Sequence, residues 1–254
     1  FAYAFVADKT ATIHKYTDWE DCHYKDTKTI CAILYDPSDA IADSWGYTAE
    51  KEFAISQDDF DDEEEEDETC ARKQRVLFKY FKNELNTNMH GTLEQDGFII
   101  PVKEVTVEYL NFVRELIMDQ LLQHDPSITP NEIRWCFSFP VVWEESHKKE
   151  FRKIVTQAQF IESEDSTLHD FMMVAEVEAA AVHCVHENNL QANQIIMTVD
   201  AGASTVDLTV HKLDQHLKLK TVTIPTGIMF GSTALDDEFI AILHENFSRE
   251  KLEK

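Results

Sequence analysis

Apolar and polar residues follow a clear pattern between Ile195 and Leu213. A β-rich apolar run leads into a small and polar stretch at 200–205, and strict alternation of apolar and polar residues then follows. This pattern predicts a strand, a tight turn and a second strand. One carboxylate, Asp200, stands at the entrance of the predicted turn, and a second, Asp207, stands just past its exit.

Similar patterns predict the other elements. Short apolar runs bounded by turn residues predict strands at 1–6, 11–14, 30–35, 91–102, 133–139, 172–175 and 217–224. Apolar residues three and four positions apart, or helix-forming composition, predict helices at 48–55, 103–123, 145–160, 178–187 and 232–246. Residues 74–86 fit a strand that passes into a helix. The alternation of strands and helices in the second half predicts α/β architecture.

The turn at 200–205 has the composition of a phosphate-binding loop. A turn of small residues brings backbone N–H groups close to phosphate oxygens. Asp200 at the strand end is suited to hold a magnesium ion through its waters, and Thr205 adds a hydroxyl. This chemistry suits binding of a nucleoside triphosphate and phosphoryl transfer. An ordinary surface hairpin with the same composition remains an alternative at this point.

The charge of the chain limits its partners. The 254 residues carry a formal net charge of −25, and ten of the acidic residues lie in one run between Asp58 and Glu68. Such a surface repels a phosphate backbone, so we expect no nucleic acid partner, although a local site with a metal still accommodates one nucleotide. We predict a solvated, disordered loop at 57–69; binding of protein partners through the acidic surface is the alternative.

Cysteine usage and hydropathy indicate a reduced, cytoplasmic protein. The five cysteines are odd in number and far apart, without metal-finger spacing. No apolar run reaches the length of a membrane span, so we expect no membrane association. The start without methionine suggests a fragment. His183 and His186 lie three residues apart, as metal ligands sometimes do, but a packing or surface role is the favoured interpretation.

Several motifs occur in an order that resembles one protein family. They are Ser44-Trp45-Gly46-Tyr47, Phe137-Ser138-Phe139-Pro140, Ala175-Glu176-Val177-Glu178-Ala179-Ala180-Ala181, Asp200-Ala201-Gly202-Ala203-Ser204-Thr205-Val206-Asp207 and Gly227-Ile228-Met229-Phe230-Gly231-Ser232. Together they resemble the nucleotide-binding domain of the 70-kDa heat-shock chaperones, in the actin and hexokinase ATPase superfamily, and more narrowly a divergent branch known from fungi and animals. The resemblance covers nearly all of the chain.

The resemblance implies an actin-like ATPase fold, which is a duplicated ribonuclease-H-like α/β fold with ATP between two lobes. The first lobe would comprise residues 1–192, with an outer subdomain at 37–103 that carries the acidic loop. The second lobe would start at 193 and be truncated at 254. The function implied is that of an ATP-binding, chaperone-like protein with magnesium-dependent ATP hydrolysis in the intact protein.

Individual catalytic roles also follow from the resemblance. Asp200 would lie in the magnesium shell, and Glu176 would reach a magnesium-bound water. Thr205 would support the phosphate or the attacking water, with Asp207 in the next layer. Lys79 would neutralise charge on the transferred phosphoryl group. Catalysis of phosphoryl transfer consists mostly of such positioning and charge neutralisation.

The remaining nucleotide contacts implied by the resemblance involve Gly202, Ala203, Ser204 and Gly231. The chaperones carry three glycines in this loop, but here only Gly202 is glycine. A left-handed backbone at either substituted position would cost about 1–2 kcal/mol. Val177 also replaces the usual proline, and the family's first phosphate loop would lie before Phe1.

These departures leave alternatives to a working ATPase. The main alternative is a catalytically weak or inactive scaffold of the same fold that binds protein partners. A sugar kinase of the same superfamily would need an acidic residue at a sugar site, and no motif supports one.

Overall fold

The computed structural model describes residues 1–4, 12–38, 40–61, 75–165 and 171–247. The chain divides into two compact units, the first comprising 1–130 and 151–164 and the second comprising 131–150 and 165–254. The predicted lobe boundary between 192 and 193 stays a prediction. Residues 62–69 of the predicted acidic loop lie outside the described residues.

A three-stranded antiparallel sheet forms the centre of the first unit. Its middle strand, β3 (Ala32–Asp36), lies between β4 (Ile41–Trp45) and β5 (Val76–Lys79), and all five of its residues are buried. A separate antiparallel pair joins β1 (Ala2–Tyr3) to β2 (His14–Lys15). The predicted strand at 30–35 is therefore confirmed, whereas the polar strand β4 was not predicted from its composition.

The helices and the hairpin of the first unit cover this sheet. They are α1 (Gly46–Asp61), α2 (Phe81–Thr87), the pair β6 (Thr92–Gln95) and β7 (Phe98–Pro101), and α3 (Val102–His124). Residues of β3, β5, α2, β7 and α3 share one hydrophobic cluster, namely Ile33, Tyr35, Val76, Phe78, Phe81, Ile100 and Val105. The predicted helix α3 is confirmed, but of its predicted inward stripe only Ile117 and Leu121 are buried, whereas Val107, Leu110 and Val113 are half-buried.

Two predicted elements of the first unit differ from the structure. Residues 91–102 form a hairpin instead of one strand, because Asp96 and Gly97 have φ values of 53° and 78°, which a tight hairpin turn requires. Helix α1 runs through Asp61, beyond the predicted end at Ile55 and into the start of the predicted loop. No proline or glycine interrupts this part of the chain, so each added residue extends the helical hydrogen bonding.

The second unit combines a parallel strand pair with a larger antiparallel sheet. The pair consists of β8 (Trp135–Phe139) and β9 (Phe171–Ala175), and α5 (Glu176–Glu187) follows it directly. The antiparallel sheet has the order β10 (Ile195–Ala201), β11 (Val206–Leu213) and β12 (Leu219–Thr221), and β13 (Thr226–Ile228) also pairs with β11. Helix α6 spans Ser232–Asn246, as predicted. Helix α4 (Glu145–Gln157) begins among the residues of the second unit and ends among those of the first, as the chain passes from one to the other, and a 3₁₀ turn spans Pro130–Glu132.

The antiparallel sheet buries its polar face. Asp207, Thr209 and His211 on β11 are each at most 2% exposed, whereas Met197 and Val199 on the opposite face of β10 are more than half exposed. Helix α5 contacts both β10 and β11 and buries its Val177 and Ala181. The alanine-rich face of α5 therefore covers the polar side chains closely.

Other predicted features have mixed outcomes. Trp135, Phe137 and Phe139 share one strand face but are only half-buried. Among the described residues, α6 buries none of its side chains, so its apolar stripe is exposed. The four cysteines within the described residues are free thiols. No helix in the described ranges is long and apolar enough to cross a bilayer.

Candidate functional site

The predicted hairpin places Asp200 and Asp207 directly opposite each other. Strands β10 and β11 pair in register from Ile195 with Lys212 to Ala201 with Val206, and Asp200 faces Asp207 one step before the turn. Like charges directly opposite each other on a sheet are destabilising. The pairing of these two carboxylates therefore does not stabilise the hairpin, which makes the pair a candidate for a functional role.

The four-residue turn between these strands is unstrained. The N–H of Gly202 donates to the carbonyl oxygen of Thr205 at 2.9 Å and closes the turn. Neither Gly202 nor the two residues that follow it, Ala203 and Ser204, has a positive φ. The cost of a left-handed backbone at the substituted glycine positions is therefore not incurred. Among the described residues, the N–H groups of Ala203 and Thr205 donate to no backbone carbonyl.

The N-terminus of α6 fixes the turn from its other side. The N–H of Ser232 donates to the carbonyl of Gly202 at 3.1 Å, and the N–H of Thr233 donates to the carbonyl of Ala203 at 3.1 Å. The hydroxyl of Thr233 also donates to the carbonyl of Ala203, at 2.8 Å. The carbonyls of the turn are thus held on α6.

Gly231 makes this arrangement sterically possible. A Cβ at Gly231 would overlap the carbonyl group of Ala203 and approach the carbonyl oxygen of Gly202 closer than contact distance. The residue is buried, with an extended backbone (φ −103°, ψ −165°), so its role here is close packing and not a left-handed turn. Its predicted part in nucleotide binding stays a prediction.

Asp207 is the buried member of the carboxylate pair. Its side chain is 1% exposed, and the hydroxyl of Thr205 donates to its Oδ2 at 3.2 Å. Oδ1 has no hydrogen-bond partner among the described residues and lies against Gly227, where a Cβ would overlap it. Buried polar atoms are rarely left in this condition, so Oδ1 is a candidate for an interaction with a bound group.

Burial raises the pKa of Asp207, because desolvation disfavours its charged form. The Thr205 hydroxyl and the backbone N–H of Val141 oppose this shift, whereas the negative charges of Glu176 and Asp200 add to it. Glu176 is the first residue of α5 and is half-buried, as is Asp200. Glu176 and Asp200 therefore both act electrostatically on Asp207.

The three acidic side chains Glu176, Asp200 and Asp207 are better suited to hold a cation through its bound waters than to ligate it directly. No group of three or more His, Cys, Asp or Glu side chains in the described part of the chain is arranged to ligate a metal ion. Magnesium usually keeps several of its waters and contacts only one or two carboxylates. The described geometry fits that kind of binding at Asp200, with Glu176 nearby. His183 and His186 are exposed on α5.

Lys79 lies in the first unit, at the end of β5. Its ammonium forms an ion pair with Glu50 on α1 and lies 5.6 Å from the centroid of the Tyr80 ring. Its predicted catalytic role stays a prediction. The other predicted residues, Glu176, Asp200, Gly202, Ala203, Ser204, Thr205, Asp207 and Gly231, all belong to the second unit.

Sequence reasoning missed three contributors to the site. Gly227 packs against the Asp207 carboxylate, Thr233 anchors the turn, and the N–H of Val141 favours the charged form of Asp207. Gly227 and Gly231 belong to a motif that the sequence shows, but the sequence does not indicate which atom each glycine approaches. The contribution of Val141 is a backbone contact and leaves no sequence signal.

Comparison with known proteins yields distant relatives. No protein-family model matches the chain. The chain is 25% identical over 313 residues to human heat shock 70 kDa protein 12B, covering 98% of this chain and 43% of that protein. It is 24% identical over 318 residues to human heat shock 70 kDa protein 12A, covering 100% and 45%. The chain therefore spans less than half the length of these relatives.

Comparison with solved structures gives the fold. The crystal structure of MreB5 of Spiroplasma citri bound to ADP matches with a TM-score of 0.51 at 12% identity, covering 85% of this chain and 49% of that one. An identity this low carries the fold alone. The predicted fold class and the predicted resemblance are both confirmed: the chain is similar along nearly its whole length to divergent 70-kDa heat-shock proteins, and its fold is that of the actin-like ATPases.

Proposed function

We propose that the protein binds a nucleoside triphosphate with magnesium at the β10–β11 turn and hydrolyses it. The single observation that carries the proposal is the cross-strand pair of Asp200 and Asp207 beside an unstrained turn of small residues. Two like charges held in register weaken a sheet, unless a cation or its water shell offsets them. The heat-shock relatives and the ADP-bound MreB5 structure support a nucleotide as the ligand.

The turn would bind the phosphates through its backbone. The carbonyls of Gly202 and Ala203 are engaged by α6, so their dipoles point away from the ligand, whereas the N–H groups of Ala203 and Thr205 remain available. Backbone N–H groups at such a turn are suited to phosphate oxygens. Because α6 fixes the turn in advance, little conformational entropy is lost when the phosphates bind.

The acidic residues would differ in their roles. Half-buried Asp200 would accept hydrogen bonds from metal-bound waters, and Glu176 at the start of α5 would accept another. Asp207 is buried and hydrogen-bonded to Thr205, so we assign it to positioning of the Thr205 hydroxyl and of the hairpin. Magnesium at this place would supply neutralisation of the phosphate charge.

Binding is tested by calorimetric titration of the protein with magnesium-ATP. We expect Asp200→Asn to weaken the affinity at least about tenfold, a loss of about 1.4 kcal/mol. Asp237→Asn, which removes an exposed carboxylate on α6, is the matched control and should leave the affinity unchanged. Equal affinities for the wild type and Asp200→Asn would refute the proposed site.

A specific feature of the turn favours a second candidate function, a non-hydrolysing scaffold. Ala203 and Ser204 carry Cβ atoms at positions where the chaperones have glycine, and a Cβ that points toward a phosphate hinders its close approach. In that case the acidic surface would serve protein partners. Steady-state release of inorganic phosphate from ATP, dependent on enzyme concentration, would exclude the scaffold alternative.

A further inference from the structure

A small cavity in the first unit has both aromatic and acidic side chains in its lining. Its volume is about 230 Å³, which lies below the roughly 300–1,000 Å³ of typical small-molecule pockets. Tyr16, Trp19, Trp45 and Phe112 contribute rings to its lining. We call this cavity the aromatic cavity. All of its lining residues belong to the first unit.

The rings of the aromatic cavity stand in different planes. Trp19 meets Tyr16 at 80° with centroids 4.8 Å apart, and it meets Trp45 at 90° with centroids 6.2 Å apart. Trp45 in turn stacks on Phe112 at 12°. The indole N–H of Trp19 donates to the carbonyl of Asp26 at 2.9 Å, which fixes its ring. The Trp19 ring therefore stands nearly perpendicular to Tyr16 and Trp45, whereas Trp45 and Phe112 are nearly parallel.

Carboxylates complete the lining of the aromatic cavity. Glu20, Glu115 and Asp119 belong to the lining and are exposed, and none of them forms an ion pair with a described residue. The ammonium of Lys51 forms an ion pair with Asp21 at 2.5 Å. Asp21 is the main cause that raises the pKa of Lys51, and the negative charge of Glu20 adds to this effect. Three carboxylates thus belong to the lining of the aromatic cavity, and none of them forms an ion pair with a described residue.

We propose that the aromatic cavity binds a cationic side chain, the guanidinium of an arginine or the ammonium of a lysine, from a partner protein. Ring faces attract a cation that is brought within about 6 Å of their centroids. The apolar stem of an arginine or lysine packs against rings while its charged head reaches carboxylates. A side chain with an apolar stem and a positively charged head therefore matches both the rings and the carboxylates of the lining.

Other ligand classes fit the aromatic cavity less well. An anion would meet three carboxylates in a chain of net charge −25. A neutral apolar group would leave the carboxylates unpaired and would gain nothing from them. A volume of about 230 Å³ also suits a single side chain better than a complete cofactor.

The proposal is tested with three short peptides titrated into the chain at low ionic strength. Two are capped tripeptides with a central arginine or lysine, and the third has a central norleucine, which keeps the stem but lacks the charge. We expect the better cationic peptide to bind at least about tenfold tighter than the norleucine peptide, with the difference shrinking as salt is added. Equal binding of all three peptides, or no binding of either cationic peptide, would overturn the proposal.

Paired variants assign the binding to this cavity. Glu115→Gln with Asp119→Asn removes two exposed lining charges from α3, and we expect it to lower the affinity for the cationic peptide at least about fivefold. Glu84→Gln with Glu94→Gln makes the same change in net charge at exposed positions outside the cavity and serves as the control. Equal losses in the two double variants would reduce the effect to net charge and overturn the proposal. If the chain bound free spermidine but neither cationic peptide, the assignment to a protein side chain would be overturned.

Discussion

Asp200 and Asp207 face each other across the β10–β11 ladder, one half-buried and the other 1% exposed. The pair stands at the last position but one before a turn that is held on the N-terminus of α6. The two side chains are of the same type but differ in exposure, and burial raises the pKa of Asp207.

Asp207→Asn should stabilise the chain increasingly as pH rises. Burial raises the pKa of Asp207 above its ordinary value of 3.8, so the folded state favours the protonated form. The wild type therefore loses stability as pH rises through the folded-state pKa, and the asparagine variant avoids this loss. Urea unfolding of both proteins between pH 4 and 7 measures the difference.

Asp214→Asn provides a control of opposite sign. Hydrogen bonds from the backbone N–H groups of Lys218 and His216 lower the pKa of Asp214. At pH values above its ordinary pKa of 3.8, the Asp214 carboxylate therefore stabilises the folded state. The Asp214 variant should be less stable than the wild type at neutral pH, and the difference should vanish as pH falls through the lowered folded-state pKa. If both variants gave the same pH trend, the assignment of a raised pKa to Asp207 would be wrong.

Gly231→Ala should destabilise the chain by about 1–3 kcal/mol, because the added methyl overlaps the Ala203 carbonyl and overpacks a close contact. Gly202→Ala is the matched control. Its Cβ would lie 3.3 Å from the carbonyl oxygen of Thr205, and its φ is not positive, so we expect a smaller loss. Guanidinium unfolding measures both, and a similar cost for the two variants would contradict the close packing at Gly231.

Lys79→Met tests the one predicted catalytic residue that lies in the first unit. If Lys79 neutralises the transferred phosphoryl group, ATP turnover should fall at least about tenfold while the free energy of unfolding changes little, since a part-exposed ion pair contributes at most about 1 kcal/mol. Glu50→Gln breaks the same ion pair and serves as the control. Equal turnover in the wild type and Lys79→Met would leave Lys79 as a surface ion-pair residue.

Strong local patterns predicted the elements of the site. Alternation predicted the hairpin at 195–213, and the apolar spacing after Gly231 predicted α6 with the observed bounds. Asp96 and Gly97 are residue types that favour a turn, but the apolar residues on either side of them predict one continuous strand, which is wrong. The sequence therefore predicts a helix or strand best when its apolar residues follow a single periodicity.

Tertiary context determined what the sequence did not predict. Alternation shows that two faces of β11 differ, but not that Thr209 and His211 lie on the buried face beneath α5. The close approach of Gly231 to Ala203 likewise depends on how α6 begins beside the turn. Such contacts join residues far apart in the chain, so they follow from packing and not from local propensity.

The dependence of nucleotide affinity on magnesium tests the central claim most directly. ATP affinity is measured calorimetrically with magnesium and with EDTA for the wild type, Asp200→Asn and the control Asp237→Asn. We predict that magnesium strengthens binding at least about tenfold in the wild type and the control, and that Asp200→Asn loses most of this gain. The same gain from magnesium in all three proteins, or no ATP binding by the wild type, would contradict the account.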